Sequence, residues 1–245
     1  MEDLYRTRDA MVAFIDMLGA SKQIKNNADM SLIKMHSAYD IAMELYGKLP
    51  AAKQELIKVR IFSDNIVIYA FCDEGGARAS FYAVTKFAAL IQARFTQMGI
   101  LIRGGIARGS FFADELMIWG QALVDAYSLE NSISIYPRVV IHPDIVEALI
   151  DADSIDTEWL AQDTDGLWFV DYINEKTIKG YRLDLFLCHG NCLTDILNNK
   201  DGLKVAQKMH WHRNYLESKF TDEMNATLNK FREKKDVATL FSATM

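Results

Sequence analysis

Apolar residues along this chain fall into continuous runs and helically spaced stripes, separated by polar or glycine-bearing breaks. The first run, about residues 10 to 18 (Ala10-Met11-Val12-Ala13-Phe14-Ile15-Asp16-Met17-Leu18), reads as a strand covered on both faces. From Ser31 to about Leu49, the positions Leu32, Ile33, Met35, Ile41, Met43, Leu45 and Tyr46 recur at helical spacings. Ser31 is the expected N-cap and Pro50 the stop, which predicts a helix packed on a sheet. Leu56 to Ser63 and Ile66 to Phe71 read as two strands joined by a tight polar turn at Asp64-Asn65. A second helical stripe runs from about Ala77 to Gln97 through Phe81, Val84, Phe87, Ala88, Ile91 and Phe95, with Gly99 as its stop. Ile100 to Gly109 is then a strand with glycines where another backbone or a ligand must come close. The order β-α-β-β-α-β is that of a ferredoxin-like split βαβ unit, so an α+β fold is expected in which the first strand and the hairpin turn lie side by side.

Beyond this core the pattern predicts a helix from Trp119 to Ile133, a short strand from Arg138 to Ile141 and a short helix from Ile145 to Ile150. A late β-hairpin is expected to pair Gly166–Ile173 with Gly180–Leu187 across Asn174-Glu175-Lys176. The tail from about Asn191 to Lys235 is helix-rich, with Leu216, Phe220, Met224, Leu228 and Phe231 on one stripe. Residues 1–190 are therefore read as one domain. Residues 191–245 are read as a C-terminal helical extension packed on that domain or on a dimer partner.

Composition narrows the function classes. Half of the 245 residues are hydrophobic and 24% are charged, as in a globular protein with a sizeable core. A net charge of -6 argues against broad phosphate neutralisation, so no DNA or RNA partner is expected, while a local basic pocket for a triphosphate remains compatible. No stretch approaches the roughly 20 apolar residues of a transmembrane helix, and the N-terminus lacks a signal-peptide pattern, so a cytoplasmic location without membrane partners is expected. Cys72, Cys188 and Cys192 are too few and too odd in number for a disulfide framework. Cys188-His189-Gly190-Asn191-Cys192 clusters soft ligands without a second cluster at zinc spacing, so packed thiols are the reading. His210 and His212 are two apart on a predicted helix and do not share a face. The acidic loop Asp151 to Asp156 lacks the glycine and late glutamate of a calcium loop.

Candidate chemistry rests on Asp16 and Asp64. Each is a carboxylate within a strand-like apolar run, where an unpaired buried charge costs several kcal/mol, roughly, unless it is compensated. Taken singly, Asp16 reads as a strand-end cap and Asp64 as a turn aspartate. Jointly they point to a divalent cation.

Phe14-Ile15-Asp16-Met17-Leu18-Gly19, Phe62-Ser63-Asp64-Asn65-Ile66-Val67-Ile68, the strand Arg103-Gly104-Gly105-Ile106-Ala107-Arg108-Gly109 and the segment Gly120 to Glu130 together resemble the class III nucleotidyl cyclase catalytic domain. More narrowly they resemble the pyrimidine cyclases of the Pycsar anti-phage defence systems. The resemblance spans about residues 10 to 133, with the late hairpin also family-like. It implies two Mg²⁺ or Mn²⁺ ions per site, held by Asp16, Asp64 and the backbone carbonyl of Ile15. It implies that Phe14 and the turn Met17-Leu18-Gly19 lie at the nucleotide, the turn offering N–H groups to phosphates, and that Arg103 contacts the β- and γ-phosphates. The implied substrate is a nucleoside triphosphate and the implied assembly a C2 homodimer with sites across its interface.

This chain departs from the better-known members in two places. Where adenylate cyclases of the class carry a base-reading lysine and aspartate, it has Arg60 and Met117. A guanidinium is all donor and suits the acceptors of a pyrimidine, so the expected substrate is UTP and the product 3′,5′-cyclic UMP, with CTP as the alternative. Where the family carries a transition-state Asn and Arg, it has Val124 and Ser128. That second departure keeps open a catalytically weak nucleotide-binding module, unless Arg108 or a basic residue of the tail substitutes.

Overall fold

A computed structural model of the chain describes residues 5–48, 56–150, 159–173 and 202–219. The Gly180–Leu187 strand, the Cys188–Cys192 cluster, the Asp151–Asp156 loop and the tail beyond residue 219 lie outside the described residues.

The chain folds in the order β1 (Arg8–Met17), α1 (Ala20–Asn26), α2 (Ala28–Gly47), β2 (Lys58–Phe62), β3 (Asn65–Phe71), α3 (Cys72–Gly75), α4 (Ala77–Gln97), β4 (Ile102–Ala113), β5 (Ile118–Trp119) and α5 (Gln121–Ser128). Helix α5 runs into a π-helical turn, Leu129–Ile133. It is followed by β6 (Val139–Ile141), α6 (Pro143–Ile145) with a second π turn Val146–Ile150, β7 (Leu160–Gln162), β8 (Trp168–Val170) and α7 (Gly202–Ser218). The strands form one sheet in the order β2-β3-β1-β4-β6-β8-β7, with β5 paired to β4. The first four strands are antiparallel in the 2-3-1-4 order of a ferredoxin-like unit, and β6 is added parallel to β4. This is the expected α+β architecture.

Strand β1 has to be apolar on both sides because both are covered. Met11, Ala13, Ile15 and Met17 join the core formed with Ala38 and Tyr46 of α2 and with Phe81, Val84, Phe87, Ala88, Ile91 and Phe95 of α4. Ala10, Val12 and Phe14 point the other way, into a smaller core with Ala122 and Ala126 of α5. By the period of two, Asp16 projects on the α5 side.

Several sequence expectations are corrected. The cap of α2 is Asn27 rather than Ser31: the helix begins four residues earlier, and Asn27 Oδ1 accepts from Met30 N–H at 3.0 Å. Leu32, Ile33 and Ile41 stay exposed, while Ala38 and Tyr46 carry the packing. Trp119 belongs to β5 and not to a helix, because β4 continues to Ala113 and turns back through Asp114, whose N–H donates to the Met117 carbonyl at 3.0 Å. The late hairpin pairs Trp168–Val170 with the earlier segment Leu160–Gln162. Its turn closes through Gly166 at φ 83 and a hydrogen bond from Asp163 N–H to the Leu167 carbonyl.

Close approach explains one glycine of β4 in particular. A Cβ on Gly105 would lie 2.4 Å from Leu129 Cβ and 2.5 Å from the Ala126 carbonyl, so only glycine lets the end of α5 press onto the strand. At Gly109 the same atom would meet Ala122 at 3.4 Å or beyond. Gly105→Ala is expected to cost about 3 kcal/mol, the upper end for overpacking against backbone. Gly109→Ala should change stability by less than about 1 kcal/mol. Urea unfolding of the two variants side by side checks the contrast.

Candidate active site

The site forms where β1 ends, β4 begins and the β2–β3 turn closes. Asp16 is the Cα partner of Asn65 on β3 and of Arg103 on β4, so it sits between the hairpin turn and the arginine. Met17 N–H donates to the Asp64 carbonyl at 3.3 Å, which ties the two aspartate segments together. The turn itself is tight, with Ser63 at φ 55, and Asp64 Oδ1 accepts from the Ser63 hydroxyl at 2.9 Å. Asp16, Asp64 and Arg103 are thus brought together although 87 positions separate the first from the last.

Arg103 organises the charges. Its Nε donates to Asp16 Oδ2 at 3.3 Å, its Nη1 donates to the Ser134 carbonyl at 3.4 Å, and its Nη2 stands 2.6 Å from Glu130 Oε1. That last contact is an ion pair without hydrogen-bond alignment, since Glu130 Oε1 is buried with no hydrogen-bond partner. Glu130 is 3% exposed, on the π turn that Gly105 admits. The sequence reading missed it: a glutamate in a helical pattern ordinarily faces water, and nothing local marks it as buried.

Burial pushes the Asp16 carboxyl above the usual carboxylate range, Arg103 pulls it back through charge and hydrogen bonding, and Asp64 raises it again. Glu130 is raised for the same leading reason, opposed by Arg103 and reinforced by Asp16. Lys208 of α7 also lowers both. Burial outweighs these cations at each carboxyl, so the pocket favours an added positive charge.

The donor set fits a hard divalent cation. Asp16 and Asp64 supply carboxylate oxygens, and Mg²⁺ commonly takes only one or two carboxylates, completing its shell with phosphates and water. Among the described residues no group of three or more His, Cys, Asp and Glu side chains converges as a full cage. Ions here would be shared with substrate.

The remaining expected site residues fall as follows. Phe14 is buried beneath the site, packed against Phe62 and, edge-on, Tyr127, as part of the floor. Ile15 lies on the opposite, core-facing side of β1, so only its backbone is placed to contribute. The turn after Asp16 differs from a phosphate cradle: Met17 N–H is taken by Asp64, and Leu18 N–H donates to the Leu101 carbonyl at 2.8 Å. Gly19, at φ 79, starts α1. Arg60 and Met117 meet around Asp114: Arg60 Nη2 donates to its carbonyl at 3.0 Å, and Met117 N–H donates to its Oδ1 at 2.8 Å. Val124 is exposed, and the Ser128 hydroxyl donates back to the Val124 carbonyl at 2.8 Å. Arg108 cannot stand in for the missing pair, because it is bound to Asp9 at 2.7 Å, away from the Arg103 end of β4. His210 is exposed and His212 wholly buried on α7, which agrees with the reading that they share no face.

No protein-family model matches the chain, and no curated protein matches it in sequence. Solved structures do. The adenylyl cyclase CyaB from P. aeruginosa aligns with a TM-score of 0.51 and 15% identity over 68% of this chain and 94% of that one. The fold is that of the class III cyclases. The monomeric guanylyl cyclase domain of the RhoGC fusion protein from the aquatic fungus Blastocladiella emersonii is also similar, with TM-score 0.49 and 18% identity over 68% of this chain and 96% of that one. So is the adenylate/guanylate cyclase/hydrolase from Silicibacter pomeroyi, with TM-score 0.46 and 18% identity over 68% and 98%. At such identities the class III likeness concerns the fold, and the chemistry has to be argued from the residues.

The Arg103–Glu130 contact yields a direct test. Arg103→Met should cost about 3 kcal/mol by leaving Glu130 buried beside Asp16 without its cation. Arg103→Met combined with Glu130→Leu should cost clearly less than the two single changes summed, with a coupling of about 1 kcal/mol or more. Denaturant melts of the four proteins in the cycle measure it, and additivity would mean the pair is not formed.

Proposed function

We propose that the chain is a nucleotidyl cyclase that uses two divalent ions, Mg²⁺ or Mn²⁺, to convert UTP into 3′,5′-cyclic UMP and pyrophosphate. The observation that carries the reading is the meeting of Asp16, Asp64 and Arg103 at one end of a class III cyclase sheet. The chemistry supplied by bound metal is a lowered pKa of the ribose 3′-hydroxyl and neutralisation of the triphosphate. The 3′-oxygen bonds to the α-phosphorus as the bond to the β-phosphate oxygen breaks; that electron pair leaves with pyrophosphate and the hydroxyl proton passes to water. Asp16 and Asp64 would hold the cations. Arg103, beside Asp16 and still partly exposed, is the guanidinium placed to meet the incoming phosphates.

Arg60 and Met117 support a pyrimidine. Both are tied to Asp114, Arg60 by its guanidinium and Met117 by its backbone N–H, which is compatible with one donating to a base carbonyl and the other covering the ring without competing for an exocyclic amine. Uracil offers two carbonyl acceptors against one in cytosine, which favours UTP; a cytidylate cyclase making cCMP is the nearest alternative. A role in anti-phage signalling rests on the resemblance to Pycsar cyclases. One observation favours a second reading, a nucleotide-binding module of low turnover: the Val124 and Ser128 positions present no cation, and the Ser128 hydroxyl is turned back onto its own helix.

The proposed assembly is a C2 homodimer. Phe62, Leu116, Trp119, Val124 and Tyr127 are large apolar side chains left exposed on and around the β4–β5 and α5 segments, with Leu116 at 89% and Trp119 at 61%. Such a strip calls for a partner, and a second copy would carry Arg60 and Met117 toward the Asp16 end. Trp119→Lys is expected to give a folded monomer by sedimentation and to lose at least tenfold in activity; an unchanged, active monomeric wild type would defeat the dimer proposal.

Purified protein incubated with ATP, GTP, CTP or UTP in Mn²⁺ and read by mass spectrometry tests the activity and its base together. One dominant cyclic pyrimidine product is expected. Asp16→Ala and Asp64→Ala should each lower its formation by about 10³-fold or more, with Tm little changed. Full activity in either variant would remove the metal assignment, and a cyclic purine product would remove the role given to Arg60 and Met117.

A further inference from the structure

The cyclase reading leaves a gap in its charge inventory, since Val124 and Ser128 supply no cation for the phosphate under attack. Helix α7 carries the candidate. It is fixed to the late part of the sheet by Trp211, which stacks on Tyr136 at 5.5 Å and 7° and donates from Nε1 to Asp163 at 2.6 Å. Tyr215 anchors the next turn: its hydroxyl donates to Asp171 Oδ1 at 2.5 Å and its ring meets Phe169 edge-on at 5.5 Å. Met209, His212, Tyr215 and Leu216 are buried by this docking.

The helical period sets what the remaining inner position must be. Residues 208, 212 and 215 share a face, so Lys208 lies on the packed side of α7, one turn before Trp211 and His212, and it is half-buried. Trp211 rests on Tyr136, two residues after Ser134, the residue whose carbonyl accepts from Arg103. One anchor of α7 is therefore two residues along the chain from a partner of Arg103.

We propose that Lys208 is a phosphate-contacting residue of this site, a cation delivered by the tail helix to the polyphosphate of the bound nucleotide in place of the arginine absent at position 128. The face of α7 that carries it is the docked one, and in keeping with that placement its charge lowers the Asp16 and Glu130 carboxyls alongside Arg103. A lysine suits the task, because a compact point charge on a flexible stem can reach toward a triphosphate as it enters. As pyrophosphate departs with the electron pair of the broken bond, the growing negative charge falls to Arg103 and Lys208 jointly. Helix α7 is thereby part of the active machinery.

The proposal rests on the nucleotide-site reading, and the test separates the two. Lys208→Met keeps the aliphatic stem and removes the charge, Lys208→Arg keeps the charge, and Arg213→Met removes a charge from the exposed side of the same helix. In the full chain, Lys208→Met should lower kcat/KM for the preferred nucleotide by about 10²-fold. It should also weaken binding of inorganic tripolyphosphate about tenfold by calorimetry. Lys208→Arg should recover most of both, and Arg213→Met should match wild type. Unchanged tripolyphosphate affinity in Lys208→Met, or an equal loss in Arg213→Met, overturns the assignment while leaving the cyclase reading untouched. If the wild type makes no cyclic product from any nucleotide, the cyclase reading fails, and the tripolyphosphate titration still decides the role of Lys208.

Discussion

Asp16 and Arg103 face one another across the β1–β4 ladder, and that register constrains everything around the pocket. An acid at the end of a doubly covered strand needs a cation, and the next strand supplies it at the directly opposite position. The same guanidinium then has to serve Glu130, which is there only because Gly105 lets the π turn after α5 settle on β4. Backbone packing and charge balance are one constraint at this point. A side chain at 105 would lift the turn, withdraw Glu130 and leave Arg103 with a different set of partners.

The two halves of the proposed chemistry are built by different means. The metal end is held by sheet register: Asp16 by its ladder partners, Asp64 by a turn too short to wander, and both by the Met17 N–H bond to the Asp64 carbonyl. The base end is held by a single exposed turn. Asp114 accepts from Leu116 N–H and Met117 N–H through its carboxylate and from Arg60 through its carbonyl, so one residue orients both groups expected to read the base. Rigid elements carry the step that tolerates little displacement, and a surface turn carries the recognition.

Much of this was legible in the sequence where a residue type answers to a local cause. The unbroken apolar run of β1 announced burial on both faces, the stripe from Ala77 to Gln97 matched the bounds of α4, and the glycines of β4 marked close approach. The convergence of Asp16 with Asp64 followed from element order alone. What stayed hidden depends on contacts distant in sequence. Glu130 looks like any helical glutamate until Arg103 is opposite it. Lys208 looks like a solvated lysine until Trp211 finds Tyr136. The pairing of Trp168–Val170 with Leu160–Gln162 turns on Asp165-Gly166, where a glycine at positive φ after an aspartate is the local signal, while the expected strand Gly180–Leu187 lies outside the described residues.

The lack of charge at Val124 and Ser128 is consistent with the rest of α5. Beside Trp119 and Tyr127, an exposed Val124 extends an apolar strip, and a serine whose hydroxyl is satisfied by its own helix adds no charge to desolvate when that strip is covered. An arginine there would have to be buried with its charge between two copies unless nucleotide were already bound. Moving the cation to the tail removes that conflict: the α5 face is free to be a contact surface, and the charge arrives on α7, whose attachment through Trp211, Tyr215 and Asp171 does not involve that face. Assembly and phosphate binding are then set by separate elements of the fold and are separable by mutation.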